Sequence, residues 1–404
     1  MTAVDTKNEE LIRKVLDENT ETVVVRENLE RRLRSGKQLR VKMGFDPSAP
    51  DIHIGHYVGL KKMADFQKLG HKIIIIVGDW TAQIGDPSER AAQRRMLSAE
   101  EVARNAQTYL DQFFNVVDPE LSEVRFQTTW FGNFDLADVL RLTARYTVAR
   151  MLEREDFQTR YTNGSPIGIV EFLYPLLQAY DSVAVQSDIE MGGTDQTFNL
   201  LVGRDIQREM GQEPQDILTV SILVGTDGER KMSKSLGNYV GITEPANEMY
   251  GKLMSVPDSA LESYLRLVSS LPPEQIDTMV AELAADAVNP RDIKDQLARN
   301  IISIFHDETA ANEARDEFRR IFIDHEAPSD MTEVEVDLPA GIVAVLRQSG
   351  LAQSNNEARR LIEQGGIRLN GNRVESAEME LNLELPAVLQ SGRRRFVRII
   401  PRRG

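Results

Sequence analysis

The chain has 404 residues, of which 41% are hydrophobic and 27% charged, and this composition is typical of a folded globular protein and excludes a disordered one. The formal net charge of −15 argues against loose nucleic-acid binding over the whole surface, because phosphate attracts positive surface. The chain has no cysteine, which excludes disulfides and thiolate metal sites, and its five histidines lack the spacing of a structural zinc site.

No segment of the sequence resembles a targeting or membrane-spanning element. The first residues are polar and acidic, unlike a signal peptide. The longest compact apolar run, residues 73–77, is far shorter than the ~20 residues that span a bilayer. We therefore expect a cytoplasmic protein that has no membrane partner and no structural metal.

Hydrophobic residues recur at helical spacing in the first 35 residues, and strands then alternate with helices. We predict strands at residues 41–45, 72–77, 124–128, 182–186 and 217–224. We predict helices at residues 54–69, 99–114, 136–152, 170–180 and 194–212. This alternation indicates an α/β fold in which crossover helices join the strands of a parallel sheet, and ligands of such sheets bind at the carboxyl ends of the strands.

The second half of the chain has a different pattern. Residues 244–322 lack strand signals and are predicted to be helical, residues 324–339 are acidic and turn-rich, and a small α+β unit follows with strands at 367–369 and 396–400. The predicted domains are therefore residues 1–240 (catalytic), 241–325 (helical), 326–339 (linker) and 340–404. Residues 341–404 contain 11 arginines, six glutamates and no lysine or aspartate, a net charge of +5. This excess indicates either a polyanion contact or a solvated tail.

The first candidate motif is His53-Ile54-Gly55-His56, which follows Asp46-Pro47 and stands at a predicted helix start. Imidazoles and unpaired backbone amides at a helix N-terminus favour an anion. Gly55 would let a nucleotide approach closely. A simple helix cap with incidental histidines is the alternative for this motif alone.

The second motif is Lys231-Met232-Ser233-Lys234-Ser235, on a loop bounded by glycines. Two lysines and two hydroxyls on such a loop suit a mobile clamp for phosphates. A solvated basic loop is the alternative. The exact five-residue string is specific, and its occurrence after His-Ile-Gly-His makes coincidence remote.

Together the two motifs resemble the signature motifs of class I aminoacyl-tRNA synthetases, and both match in full. The resemblance implies a Rossmann-like nucleotide-binding sheet, ATP with Mg²⁺, and an aminoacyl-adenylate intermediate. It implies catalytic roles on the phosphates for His53, His56, Lys231 and Lys234. It implies an ATP site formed by Gly44, Asp46, Gly55, Gly193, Asp195, Met232 and Lys234.

A predicted helix in the middle of the chain carries three polar residues on one face. Tyr174, Gln178 and Asp181 stand at positions i, i+4 and i+7 among apolar neighbours, and buried polar groups need partners. The segment resembles the tyrosine-pocket helix of tyrosyl-tRNA synthetases. By this resemblance Asp181 accepts a hydrogen bond from the substrate phenol, and Tyr174 and Gln178 hold its ammonium group.

Two further segments fit the same family. In Ile-Gly-Asp-Pro-Ser, residues 84–88, Asp86 would pair with the substrate ammonium; a simple turn is the compatible structural interpretation. In Gly-Gly-Thr-Asp-Gln, residues 192–196, Gly193 and Asp195 would meet the ribose and Gln196 would lie beside the reacting carboxylate. Here an N-cap is the compatible alternative. One position departs from many family members, since Lys42 replaces a tyrosine that gives the phenol a second partner.

The C-terminal segment resembles the S4-type RNA-binding domain, in which a helix, a turn and a strand present arginines to phosphate. The resemblance implies RNA contacts for Arg359, Arg360, Arg368 and Arg373, while Asn355 replaces a frequent arginine. The family as a whole implies L-tyrosine and tRNA(Tyr) as substrates and a homodimer. The alternatives are a tryptophan-specific synthetase, a nucleotidyltransferase that does not use tRNA, and an RNA-binding protein with an inactive synthetase core.

Overall fold

The computed structural model describes residues 4–47, 51–87, 98–323, 331–392 and 395–402. Its contacts divide the chain into two compact units, Met1–Ala311 and Asn312–Gly404. Within the described ranges, no helix has both the length and the apolar character to cross a bilayer. The division into four predicted domains stays a prediction.

The first unit is built on a six-stranded sheet with the order β1-β6-β5-β2-β3-β4. Strands β2 to β6 are parallel, as predicted, and β1 pairs antiparallel with β6 at one edge. The chain adds β3 and β4 on one side of β2 and then β5 and β6 on the other, so a topological switch point lies between β2 and β5. The strands are β1 Thr20–Val24, β2 Arg40–Phe45, β3 Lys72–Val77, β4 Ser122–Phe126, β5 Ile189–Gly193 and β6 Asp216–Val220.

Helices surround this sheet and continue beyond it. Pro273 and Pro290 begin two of the later helices, where the missing proline N–H is not needed. The helices are α1 Glu9–Asp17, α2 Arg26–Leu33, α3 Ile54–Lys68, α4 Thr81–Ile84, α5 Ala99–Phe113, α6 Thr128–Phe131, α7 Leu136–Thr143, α8 Val148–Met151, α9 Glu155–Thr162, α10 Leu173–Ala184, α11 Thr197–Glu209, α12 Ala246–Met254, α13 Leu261–Leu267, α14 Pro273–Ala284, α15 Pro290–Phe305 and α16 Glu308–Phe322.

Three element predictions for the first unit were wrong. The strand predicted at 182–186 is the end of α10 and the turn after it, because the buried helical face continues through Ser182 and Val183. The helix predicted at 136–152 is two helices, since Thr147 caps a new helix by accepting the N–H of Arg150. Strand β1 lies within a segment that was predicted to be wholly helical.

The second unit contains a five-stranded sheet with the order β10-β9-β12-β13-β7 and a separate two-stranded pair, β11-β8. Its strand β7 falls in the predicted linker, where Val336 is buried against the unit's apolar core; residues 324–330 of that linker lie outside the described ranges. The elements are β7 Thr332–Asp337, β8 Ala340–Gly341, α17 Ile342–Gln348, α18 Asn355–Glu363, β9 Ile367–Leu369, β10 Asn372–Arg373, β11 Glu380–Leu381, β12 Ala387–Ser391 and β13 Arg395–Arg402.

Candidate active site

One cavity of about 630 Å³ lies at the carboxyl ends of β2, β3 and β5, beside the topological switch point. Every residue predicted for catalysis, ATP or tyrosine lines it, although their roles stay predictions. These residues are Gly44, Asp46, His53, Gly55, His56, Asp86, Tyr174, Gln178, Asp181, Gly193, Asp195, Gln196, Lys231, Met232 and Lys234.

The two motif histidines stack at the N-terminus of α3, with ring centroids 3.8 Å apart. The backbone N–H of His53 donates to Nδ1 of His56 at 3.2 Å, so the proton of a neutral His56 lies on Nε2, which is 3.1 Å from the hydroxyl of Tyr109. Burial lowers the pKa of His56 to about 3 and that of His53 well below its usual range. Both imidazoles are therefore neutral at pH 7 and carry N–H donors rather than positive charge, and the N–H of His56 is directed at the hydroxyl of Tyr109.

His53 has an unusual environment. Its Nδ1 is buried and has no hydrogen-bond partner among the described residues. A Cβ at position 55 would lie 2.9 Å from this nitrogen, so only glycine leaves the imidazole in place. A buried polar atom without a partner is costly, and a bound ligand is one way to satisfy it.

The loop with the two motif lysines is held by its own backbone. The N–H of Met232 donates to the carbonyl of Leu223 at 3.0 Å, and the N–H of Ser233 donates to Oδ1 of Asn238 at 2.8 Å. These contacts fix the loop between the two lysines. The lysines therefore reach the cavity from a defined backbone.

Both lysine ammonium groups contact acceptors of the protein. Lys234 donates to the backbone carbonyl of Asp51, and Lys231 forms an ion pair with Asp195. Burial lowers the pKa of Lys234 to about 8, which still leaves most of it protonated at pH 7. Both side chains line the cavity.

At the other end of the cavity, Asp181 is almost fully buried and its two oxygens accept from different donors. Nε2 of Gln127 lies 2.8 Å from Oδ2, and Nε1 of Trp130 lies 3.1 Å from Oδ1. Burial raises the pKa of Asp181 to about 7, against the opposing effects of Lys42 and the two donors. Oδ1 and Oδ2 each keep acceptor capacity for a further donor.

Asp46 joins the two ends of the cavity. The hydroxyl of Tyr174 donates to its Oδ2 at 2.9 Å, and the hydroxyl of Thr81 donates to its Oδ1 at 2.7 Å. The sequence assigned Tyr174 to the substrate ammonium and Asp46 to ATP. Their contact means that the two predicted subsites share a hydrogen bond.

Asp86 belongs to a closed ring of four side chains. Arg154 donates to Asp86 at 2.9 Å and to Asn199 at 3.1 Å, Asn199 donates to Gln196 at 2.9 Å, and Gln196 donates to Asp86 at 2.6 Å. The ring fixes the direction of both amides. Ser88, the last residue of this predicted motif, lies outside the described ranges.

Sequence reasoning missed Gln127, Trp130 and Arg154. Trp130 is one of two tryptophans in the chain and follows a predicted strand, which is a weak signal for a site residue. Gln127 and Arg154 carry no local signal, because each reaches its partner from 45 to 68 residues away along the chain. Only the fold brings Gln127 to the cavity lining and places Trp130 and Arg154 against the lining residues Asp181 and Asp86.

The arginines predicted for RNA binding lie in the second unit and are exposed. Arg359 and Arg360 are on α18, Arg368 is on β9 and Arg373 is on β10. Among the residues that the structure describes, no cluster of three or more histidine or acidic side chains could hold a metal ion.

Two family models match the chain. The model of class I tRNA synthetases for tryptophan and tyrosine matches residues 34–323, and the S4 domain model matches residues 341–384. Among curated proteins, the tyrosine–tRNA ligase of Dehalococcoides mccartyi strain CBDB1 is 48% identical over 98% of this chain and 100% of its own length. The tyrosine–tRNA ligase of Thermotoga maritima is 48% identical over 96% of both chains.

Solved structures show the same fold. Tyrosyl-tRNA synthetase from Archaeoglobus fulgidus, complexed with L-tyrosine, covers 77% of this chain and 99% of its own with a TM-score of 0.62 and 22% identity. The enzyme from Aeropyrum pernix covers 76% of this chain and 98% of its own, also with a TM-score of 0.62, at 19% identity.

Proposed function

The chain belongs to the class I tRNA synthetases for tryptophan and tyrosine, and we propose that it acts as a tyrosine–tRNA ligase. It activates L-tyrosine with ATP to form tyrosyl-adenylate and pyrophosphate, and then transfers tyrosine to the 3′ end of tRNA(Tyr). The observation that carries this proposal is the Asp181 carboxylate, which lies at one end of a cavity whose other end holds both signature motifs.

Asp181 selects tyrosine in this proposal. Its buried carboxylate accepts the phenol hydroxyl, and the donors Gln127 and Trp130 hold it in position. Phenylalanine lacks this donor and would leave the buried acceptor without its third contact. An indole N–H would also reach the carboxylate, but the relatives that match at 48% identity are tyrosine–tRNA ligases.

The remaining polar residues at this end orient the amino acid. Asp86, Gln178 and Tyr174 surround the substrate ammonium, and Gln196 lies beside the reacting carboxylate. The ring that includes Arg154 keeps Asp86 and Gln196 in fixed orientations, so that less freedom is lost when substrate binds.

At the nucleotide end, Gly44, Gly55, Gly193, Asp195 and Met232 form the ATP site. A tyrosine carboxylate oxygen attacks the α-phosphorus while the bond to the pyrophosphate oxygen breaks in line, so the main task is to stabilise phosphate charge. The neutral imidazoles of His53 and His56 donate hydrogen bonds to the α-phosphate, and Lys231 and Lys234 hold the leaving pyrophosphate. Mg²⁺ would neutralise phosphate charge when bound, held mainly by phosphate oxygens and water.

Transfer to tRNA requires RNA contacts away from the cavity. The exposed Arg359, Arg360, Arg368 and Arg373 of the S4-like unit supply phosphate contacts in this proposal. A protein that charges tRNA works where translation occurs, and this supports a cytoplasmic location.

We also propose a homodimer, because large apolar side chains are exposed on consecutive elements of the first unit. The exposed side chains on α7, α8, α9 and the turn before α10 are Leu136, Leu140, Val148, Tyr161, Ile169 and Val170. Sedimentation at several concentrations tests this, and Leu140→Asp should shift the protein to the mass of a monomer.

Amino-acid-dependent ATP–pyrophosphate exchange tests the proposed activity directly. Exchange with tyrosine, and not with phenylalanine or tryptophan, is the expected result. Exchange with tryptophan alone would keep the fold and overturn the role of Asp181. A purified, folded protein with no exchange for any amino acid would favour RNA binding by an inactive synthetase core.

A further inference from the structure

Lys42 departs from the tyrosine that many family members have, and its ammonium points away from the cavity. The side chain is fully buried and donates three hydrogen bonds: to Oε1 of Glu190 at 2.8 Å, to Oγ of Ser182 at 2.8 Å and to the carbonyl of Gln178 at 3.0 Å. An ammonium has three N–H donors, so this set satisfies it. Lys42 is absent from the described residues that line the cavity.

Glu190, the partner of Lys42, is also fully buried. Its carboxylate accepts from Lys42, from Ser182, from Gln215 and from the side-chain amide of Gln178. A Cβ at Gly203 would lie 2.9 Å from Oε2 of Glu190. The glycine therefore leaves space on the neighbouring helix for the Glu190 carboxylate. Buried ion pairs contribute little net stability, because desolvation of the two charges offsets their attraction. A positioning role would account for a buried pair that has this many hydrogen bonds.

The network ends on a side chain of the proposed tyrosine site. Nε2 of Gln178 lies 3.2 Å from Oε1 of Glu190, and Gln178 lines the cavity. A carboxylate only accepts hydrogen bonds, so it holds the NH₂ end of the amide and leaves the carbonyl oxygen for the cavity. A substrate ammonium needs an acceptor, which this oxygen supplies.

We propose that Lys42 and Glu190 form a positioning pair, which orients the Gln178 amide so that its oxygen accepts a hydrogen bond from the tyrosine ammonium. The inference rests on the proposed function and assigns no contact between Lys42 and substrate. Lys42 holds Glu190 in place and also binds the backbone of the helix that carries Gln178. The pair makes no hydrogen bond to Asp181, the proposed phenol acceptor, which Gln127 and Trp130 hold. Its two charges have opposite effects on the pKa of Asp181, so removing both together offsets these effects.

Two inhibitors that differ in the ammonium test this pair. Tyramine has the ammonium and the phenol, whereas 3-(4-hydroxyphenyl)propionate has the phenol and no ammonium. Their inhibition constants against tyrosine are measured by pyrophosphate exchange for the wild type and for Lys42→Met combined with Glu190→Gln. This double variant removes both charges together, so it leaves no buried charge without its partner.

In the double variant, the new amide at position 190 presents either an oxygen or an NH₂ to Gln178, and the orientation is lost. We expect the inhibition constant of tyramine to rise about tenfold, roughly the effect of one lost charge-assisted hydrogen bond, and that of the propionate to stay within about twofold. Ser182→Ala, which keeps both charges, should raise the tyramine constant alone by about threefold. Ser182→Ala provides the test if the double variant does not fold.

The matched control is Arg32→Met with Asp216→Asn, a buried pair at the amino end of β6. It should lower the melting temperature without changing the ratio of the two inhibition constants. Equal weakening of both inhibitors by the Lys42–Glu190 variant, or no change in either, would overturn the inference. Absence of tyrosine-dependent exchange in the wild type would instead overturn the proposed function.

Discussion

The two ends of the cavity are prepared for their ligands in different ways. At the proposed amino-acid end, Asp181 accepts from the buried amide of Gln127 and the partly buried indole of Trp130, so two donors fix the position of this acceptor. At the proposed phosphate end, Lys234 donates to a backbone carbonyl and Lys231 pairs with Asp195, so a phosphate would compete with these acceptors of the protein. The acceptor at the first end is therefore preorganised, whereas the two lysines at the second end bind acceptors of the protein itself.

This difference has a consequence for function. A preorganised acceptor binds its donor from the start, so a change there should affect binding and the choice of amino acid. A cation that exchanges one acceptor for another gains most when phosphate charge develops, so a change there should affect the rate. The four variants and conditions below test whether binding and rate divide in this way.

The largest effect is expected for Lys234→Ala. The variant loses a donor to the leaving pyrophosphate, and we expect kcat for tyrosine activation to fall about 10²–10³-fold, as for other lost transition-state donors. The dissociation constant of tyrosine without ATP should stay within about twofold, because Lys234 makes no proposed contact with tyrosine. Single-turnover activation and equilibrium binding measure the two quantities.

Arg230→Ala is the matched control for Lys234→Ala. Arg230 is an exposed cation of the same loop, and its guanidinium pairs with Asp227. Its removal should change the activation rate less than about twofold, since exposed ion pairs contribute little. If Lys234→Ala weakened tyrosine binding as much as it slowed activation, the proposed division between the two ends would be wrong.

A second, smaller effect is expected for Asp181→Asn. The new amide places an NH₂ group against the donors Gln127 or Trp130 and removes the charged acceptor of the phenol. We expect the ratio of kcat/KM for tyrosine to that for phenylalanine to fall by at least about 100-fold, because a hydrogen bond to a buried charge is lost for tyrosine alone. Pyrophosphate exchange with both amino acids measures this ratio, and an unchanged ratio would contradict the role of Asp181.

The two ends also differ in how far the sequence predicts them. The residues of the proposed phosphate end belong to two contiguous sequence motifs, so His53 and Lys234 could be predicted from the sequence. The substrate helix is visible because Gln178 and Asp181 share a helical face. The supporting donors Gln127 and Arg154 could not be predicted, because neither belongs to a recognisable motif and each contacts residues that are distant along the chain.

The fold shows the same limit. The parallel strand Lys72–Val77, which is a long apolar run, was predicted to the residue. The edge strand Thr20–Val24 was missed because its side chains are only partly buried, so it lacks an apolar run and is defined by its pairing with β6. Local patterns report burial, whereas pairing between distant segments has no local pattern.

The titration of Asp181 gives a second test of the amino-acid end. Burial raises its pKa to about 7, and the ionised form is the acceptor that the phenol needs. As the pH falls below 7 the carboxyl becomes protonated, and its O–H opposes the neighbouring donors. The dissociation constant of tyrosine should then rise toward about tenfold per pH unit, as for any ligand that binds one protonation state.

Phenylalanine is the control for this titration. It has no hydroxyl to donate, and a neutral carboxyl suits its ring better than a charged one. Its weak binding should therefore stay constant or strengthen as the pH falls from about 8 to 6. Parallel weakening of both ligands would assign the pH dependence to another group or to partial unfolding.

The smallest effect, and the one that best isolates preorganisation, is expected for Trp130→Phe. This variant keeps an aromatic ring and removes only the indole N–H that donates to Oδ1 of Asp181 at 3.1 Å. Loss of a donor to the charged form raises the pKa of Asp181, by about one unit if the bond contributes ~1.4 kcal/mol to ionisation. The variant should therefore bind tyrosine about twofold less tightly at pH 8 and about tenfold less tightly at pH 6.

The loss of tyrosine affinity in Trp130→Phe should grow as the pH falls. This pH dependence distinguishes a role in holding Asp181 from a role in packing alone. A cavity or shifted ring would weaken tyrosine by the same factor at every pH, whereas a raised pKa weakens it only where Asp181 is partly protonated. Titration of tyrosine binding to the wild type and to Trp130→Phe over this pH range measures the factor directly. A constant factor would mean that Trp130 merely fills space, and that the amino-acid end owes its selectivity to Asp181 and Gln127 alone.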